Sequence, residues 1–316
     1  MGERLAGRGE RKHHLQRLCH PQAGIQSEHE IVGVVTSVDK PAGRGKKLRQ
    51  SEVKKFATKN ELNLLQPLNL KEKVFINDLK KLKADVFVIV AFRMLPKTVW
   101  NIPPKGTFNL HASLLPNFRG AAPINWAIIQ NEKTTGVTTF FIDDEIDTGA
   151  VLLKETISIE ENETAGSLHD KLAPLGAKLI LKTLNYIMVD RIAVPQKLLG
   201  SEKEAPKLTK ENTKIKWEKP LLFIDGLIRG LNPFPTAWIE IQNGEERLKI
   251  KIFKATPEVN KNTHKIGVLE IKDKKIRITH SEGFLTIDEL QLPNKKKINT
   301  RALLNGYKFK KGSKVL

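Results

Sequence analysis

The chain has 316 residues, 54 Lys and Arg against 35 Asp and Glu, a formal net charge of +19, and a 40% hydrophobic share. That length and apolar content suit two domains with a core each, a single cysteine, Cys19, excludes an internal disulfide framework or a cysteine-rich zinc site, and apolar runs such as Val86 to Phe92 stop far short of the ~20 residues that span a bilayer. The charge suits polyanionic partners, although lysines that merely solvate a surface would give the same total.

Residues 1–30 are basic and polar (Arg4, Arg8, Arg11, Lys12, Arg17) and lack the apolar core of a secretory signal. Little Ser and no amphipathic pattern argue against an organellar transit peptide, so cytoplasmic residence is the expectation. Ile31 to Thr36 is a β-branched run and predicts a buried strand. Pro41 to Lys47 carries Pro, Gly and charge and predicts an exposed loop. Ser51 to Asn60 and Val74 to Leu82 have helical spacing, whereas Asp85 to Ala91 predicts a strand apolar on both faces, as parallel strands usually are. Strands over Thr107–His111 and Gly136–Ile142 and helices over Ala121–Gln130 and Thr164–Val189 follow. Strands alternating with helices imply a mainly parallel, Rossmann-like sheet with flanking helices. Ligands bind such sheets at the carboxyl ends of the strands.

Pro, Lys, Glu and Ser dominate residues 195–212, which read as a linker after a first domain over 1–194. Helical Leu221 to Leu231 then leads into short β-patterned runs, Ala237–Gln242, Leu248–Ala255, Lys265–Ile271, Lys275–His280 and Phe284–Leu292. Their near-regular spacing predicts a small, OB-like C-terminal β-barrel over 213–316. Residues 211–316 hold 22 Lys and Arg against 12 Asp and Glu, more than half of the excess charge.

Within Phe108-Asn109-Leu110-His111, residues i and i+2 of a strand share a face, so Asn109 and His111 project together. An amide beside an imidazole suits polarising a carbonyl and stabilising the oxyanion formed on attack. Asp147, in a turn before Thr148-Gly149, is placed to orient the imidazole and help move protons. A lone His at a strand end is usually a satisfied polar residue, and a lone Asp before Thr-Gly is mostly turn chemistry. The spacing alone leaves both readings open.

The segment Asn109-Leu110-His111-Ala112-Ser113-Leu114-Leu115-Pro116, followed by Arg119-Gly120, resembles the signature of folate-dependent formyltransferases. Ile146-Asp147-Thr148-Gly149 resembles that family's second signature at the right distance. Asp39 to Leu48 resembles a basic insertion loop that members acting on tRNA use on the acceptor end, and Gly120-Ala121-Ala122-Pro123-Ile124 and Leu231 to Trp238 resemble further segments of those members. The resemblance runs over about residues 29 to 316. It implies 10-formyltetrahydrofolate as donor, methionyl initiator tRNA as acceptor, and no metal; a monomer is the default expectation. It further implies Asn109, His111 and Asp147 as the catalytic residues and Ser113, Leu114, Leu115 and Pro116 as folate-pocket residues. Ala91, Phe92, Met94 and Leu95 would serve the pterin, and Arg44, Lys46 and Lys47 the tRNA phosphates, with a basic barrel behind them.

One stretch departs from the pattern. The family begins with an apolar strand and a Gly-Thr-Pro turn, whereas residues 1–28 here are basic and Gly-rich at about the same length. An out-of-frame reading or true divergence would produce this, and a missing central strand would expose its neighbours' edges. The competing functions are formyl transfer to a small amine, tRNA binding without catalysis, and hydrolysis of the same folate to formate.

Overall fold

A computed structural model describes residues 28–42, 47–91, 94–260 and 265–316, with the backbone alone over 40–49. The first 27 residues, Arg44 and Lys46 of the basic loop, and Phe92 lie outside the described residues, and of Lys47 only the backbone is described. The chain divides into two compact units. One holds the residues up to Pro123, Thr134–Ser158 and His169–Glu204; the other holds Ile124–Lys133, Ile159–Leu168 and Ala205–Leu316. Among the described residues no helix is long and apolar enough to cross a membrane.

The elements run β1 (Val34–Val35), β2 (Lys40–Ala42), β3 (Lys47–Arg49), α1 (Glu52–Lys59), β4 (Leu64–Leu65), α2 (Lys73–Lys81), β5 (Phe87–Val90) and α3 (Lys97–Trp100). There follow β6 (Thr107–His111), β7 (Arg119–Gly120), α4 (Pro123–Ile129), β8 (Thr134–Phe141), β9 (Val151–Ser158), α5 (Ala165–Met188) and β10 (Glu204–Ala205). The expected strands and helices appear within a few residues of their predicted bounds, and β6 coincides with its prediction. The first strand is shorter than expected, two residues instead of six.

Parallel pairing joins β1 to β4 and β5 to β6, and β8 and β9 add an antiparallel margin in the order β5-β6-β8-β9. Leu70, Phe75, Leu79 and Val99 form a core against which Val35, Leu65 and Phe87 pack, so one cluster lies against both β1–β4 and β5. Among the described residues no strand links those two pairs, and Val88 of β5 is 37% exposed. Among the described residues β5 stands at the edge of its sheet, and the cover expected on both faces is incomplete there at Val88.

The loop predicted over Pro41–Lys47 begins and ends in a ladder, β2–β3, with Lys40 opposite Arg49 and Ala42 opposite Lys47. Its base is tied to α1. Ser51 caps that helix by accepting from Lys54 N–H at 3.1 Å, the geometry that favours Ser at this position. Lys54 Nζ donates to Asp39 at 2.8 Å, and that hydrogen bond, before the charge itself, holds the Asp39 carboxyl below its ordinary range.

In the second unit α6 (Leu221–Gly230) precedes β11 (Ala237–Asn243), β12 (Glu246–Val259), β13 (Leu269–Lys272), β14 (Lys275–His280), β15 (Gly283–Gln291), β16 (Ile298–Asn299), α7 (Thr300–Gly306) and β17 (Lys314–Val315). The order β13-β14-β15-β12-β11-β17 is antiparallel throughout. A bridge between Val268 and Lys314 brings its two ends together into a nearly closed barrel. Alternation fills it: Ile239 and Ile241, Ile250 and Ile252, and Ile276 and Ile278 all turn inward and are at most 2% exposed. On β11, Trp238 carries Lys249 Nζ 3.7 Å and Lys214 Nζ 5.5 Å from its ring centre, a cation–π pairing of the basic side chains.

Candidate active site

Strand β6 divides its residues between two environments. Phe108 and Leu110 are 0% and 3% exposed. Opposite Leu110 lies Thr139, whose hydroxyl meets that of Thr183 in α5 at 2.8 Å, so this face is closed by the helix. Asn109 and His111 take the other face together with Phe140 and Thr138, their partners across the ladder. Phe140 meets the His111 ring edge-on, with centroids 6.5 Å apart. The register also sets Val90 beside Leu110, so Ala91 (φ 49°) and His111 fall together at the carboxyl ends of the parallel pair.

His111 is 6% exposed, and both its nitrogens face protein groups. Nε2 lies 2.8 Å from the Phe118 carbonyl oxygen. A carbonyl only accepts, so Nε2 carries hydrogen. Nδ1 lies 3.6 Å from Asp147 Oδ2. That separation exceeds hydrogen-bond reach, so the Nδ1 side is not committed to the carboxylate and can engage a third atom. The same Oδ2 accepts from Gly120 N–H at 2.9 Å. Asn109 is half-buried, and among the described residues its side-chain amide has no hydrogen-bond partner.

Asp147 owes its place to a tight turn. Asp143 Oδ1 accepts from Glu145 N–H at 3.1 Å and from the Thr148 hydroxyl at 2.7 Å. Asp147 adopts φ 58°, a left-handed conformation that Asp tolerates better than most residues. Gly149 packs against the end of β8 so closely that a Cβ there would lie 1.7 Å from the Phe141 carbonyl oxygen. Only glycine fits there. The Asp-Thr-Gly sequence is thus a demand of the turn as well as of the chemistry.

The loop after His111 is clamped from below. Thr138 Oγ1 donates to the Ser113 carbonyl at 2.7 Å and accepts from Leu115 N–H at 3.1 Å. Ser113 Oγ donates to the Asn117 carbonyl at 2.6 Å, and Lys154 Nζ donates to the Leu115 carbonyl. Lys154 is an exposed residue as a whole, yet desolvation of its ammonium at this contact holds its pKa below the ordinary lysine range. Thr138 is fully buried, and its change to Val keeps the shape while stranding two backbone groups. Thr138→Val should therefore cost about 2 kcal/mol of stability, measured by urea denaturation; an unchanged midpoint would contradict the clamp.

Of the expected folate residues, Ser113 and Leu115 are buried at 0% and 1% exposure and shape the loop through backbone and packing. Leu114 and Pro116 are half-buried, and Leu95 packs against the core beneath α2. Met94 is 73% exposed. Composition did not mark Phe118, Gly120, Thr138 or Lys154: the first two act through their own main chain, and the other two bind the main chain of the loop. Least legible was Gln196, in the stretch read as a linker. Its Nε2 donates to the carbonyls of Asp147 and Gly149, both at 2.9 Å, and its Oε1 accepts from the Arg119 guanidinium at 3.2 and 2.6 Å. Among the described residues no group of three His, Cys, Asp or Glu side chains is arranged to hold a metal ion.

Known families and proteins resemble the chain over most of its length. A formyl transferase family profile matches residues 9–184, and the profile of the formyl transferase C-terminal domain matches 207–308. The chain is 50% identical over 292 residues to a methionyl-tRNA formyltransferase of Flavobacterium johnsoniae, covering 92% of this chain and 93% of that protein. It is 43% identical to the methionyl-tRNA formyltransferase of Bacteroides thetaiotaomicron, covering 92% of each. Among solved structures, an N-formyltransferase from Helicobacter canadensis, crystallised with folinic acid and dTDP-3-aminofucose, shares the fold at a TM-score of 0.59 and 20% identity, over 90% of this chain and 95% of that one.

Proposed function

The chain belongs to the formyl transferase family, and on that premise we propose that it moves the formyl group of 10-formyltetrahydrofolate onto the α-amine of methionyl initiator tRNA, with Asn109, His111 and Asp147 as its reacting centre. The observation that carries the reading is the open Asn109 amide on the same face of β6 as a buried His111–Asp147 pair.

The amine lone pair adds to the formyl carbon, and the carbonyl oxygen takes the negative charge. The Asn109 amide N–H and a proton on His111 Nδ1 stabilise that oxyanion. Asp147 holds the imidazole in place and assists removal of the amine proton, directly or through water. Collapse of the adduct breaks the bond to N10 of the folate, which leaves with a proton. Leu114, Pro116 and the turn at Ala91 are the described residues that would face the folate.

The basic hairpin and the basic barrel supply the contact to tRNA. Arg44, Lys46 and Lys47 meet phosphates at the acceptor end, and the barrel lysines meet the backbone, a salt-sensitive and largely shape-based grip. Arg44→Ala should lower kcat/KM for tRNA by roughly tenfold and make its dependence on log salt shallower by about one unit. An unaltered salt slope would remove Arg44 from the interface.

Incubating the purified chain with 10-formyltetrahydrofolate and methionyl initiator tRNA tests the whole reading. Formyl-methionyl-tRNA is the expected product. Retention of tRNA without product would mark a binding module, and free formate would mark a hydrolase.

A further inference from the structure

We propose that Gln196 is a positioning residue for this centre, holding the turn that presents Asp147, and that Arg119 fixes the orientation in which it does so. The inference rests on the reading of Asp147 as part of the reacting centre. Gln196 lies between the two stretches matched by the family profiles, so nothing in those matches speaks for it.

A glutamine side chain offers two N–H donors and one oxygen with two lone pairs. All four are used. Both N–H groups go to carbonyls of the turn, Asp147 and Gly149 at 2.9 Å each, and both lone pairs receive Arg119, Nε at 3.2 Å and Nη2 at 2.6 Å. An amide can be flipped without changing its shape, so a lone glutamine at this place would donate in one orientation and repel the carbonyls in the other. Arginine cannot accept a hydrogen bond. Facing Arg119, the amide must present its oxygen there and its nitrogen to the turn.

The turn needs this support. Asp147 sits at φ 58°, a region sparsely used by residues other than glycine, and such conformations persist only where surrounding contacts over-determine them. The carbonyl of Asp147 is held by Gln196, and its carboxylate is held by Gly120 N–H, one residue beyond Arg119. Residues 119 and 120 thus act on both ends of the same aspartate, through a glutamine at one end and directly at the other. Loss of the amide donors frees the Asp147 peptide to rotate and moves the carboxylate relative to His111 Nδ1.

Gln196→Glu provides the test. The carboxylate keeps its partner Arg119 but offers no donor to the two carbonyls. We expect kcat to fall roughly ten- to a hundredfold, the size of effect that follows from a displacement of about 1 Å at a reacting group. KM for folate and for tRNA should stay within about twofold, since no substrate contact is removed. In an Asp147→Asn background the same change should cause no further fall, because the carboxylate it positions is already gone. Gln196→Leu, neutral and of similar volume, is measured in parallel and should show the same split should the Glu variant fail to fold. Wild-type kcat in a folded Gln196 variant, a loss confined to KM, or an undiminished further fall on the Asp147→Asn background would overturn the inference. Full activity of Asp147→Asn alone would instead overturn the reading of Asp147 on which it rests.

Discussion

With His111 replaced by Ala, formyl transfer should slow by roughly a thousandfold, the combined scale of losing a proton-transfer group and an oxyanion donor. The ring is 6% exposed and wedged between the Phe118 carbonyl, the Asp147 carboxylate and the edge of Phe140. No other described ionisable side chain meets Asp147 Oδ2, so nothing stands ready to replace it. The deletion also leaves a cavity and an unpaired carbonyl, which lowers stability but leaves the barrel and its basic surface untouched. Rapid-quench measurement of a single turnover separates the chemical step from product release, and retention of tRNA on filters reports the barrel independently. Near-normal turnover in a folded His111→Ala protein would place the chemistry elsewhere.

Asp147→Asn should reduce turnover by roughly a hundredfold or more. The substitution is unusually clean. Asn is, like Asp, a residue that tolerates positive φ, so the turn at φ 58° survives. The amide oxygen can still accept from Gly120 N–H, which holds the carboxylate at 2.9 Å in the unaltered protein. What disappears is the negative charge 3.6 Å from His111 Nδ1, and with it the carboxylate that assists proton transfer. Melting temperature should therefore change little while kcat falls. A variant that lost stability and activity in proportion would show Asp147 to be turn chemistry alone.

Much of this was legible in the sequence, and what was not has a physical reason. Strand β6 could be read because its period-two pattern is dictated by a helix on one face and a site on the other. The barrel could be read because its interior isoleucines alternate with polar and charged residues over several strands. Val88 misled because an apolar strand reads alike whether it is central or at an edge; only its neighbours decide. The roles of Ser113 and Leu115 were also obscure, since a motif shows that residues occur together and not whether their side chains face a ligand or the interior. Gln196 gave no signal at all. Pro, Lys, Glu and Ser around it have the composition of a linker, and the partners that give it meaning lie 49 and 77 positions away along the chain.

The contacts that hold His111 and Asp147 are drawn largely from the main chain: the Phe118 carbonyl, the Gly120 N–H, and the Asp147 and Gly149 carbonyls. Point mutation cannot delete a carbonyl, nor an N–H except through proline. Side chains can therefore drift at position 118 while the hydrogen bond to the imidazole endures. The hereditary record of such a centre is consequently uneven, with its reactive groups written in letters and much of their support written in the path of the chain.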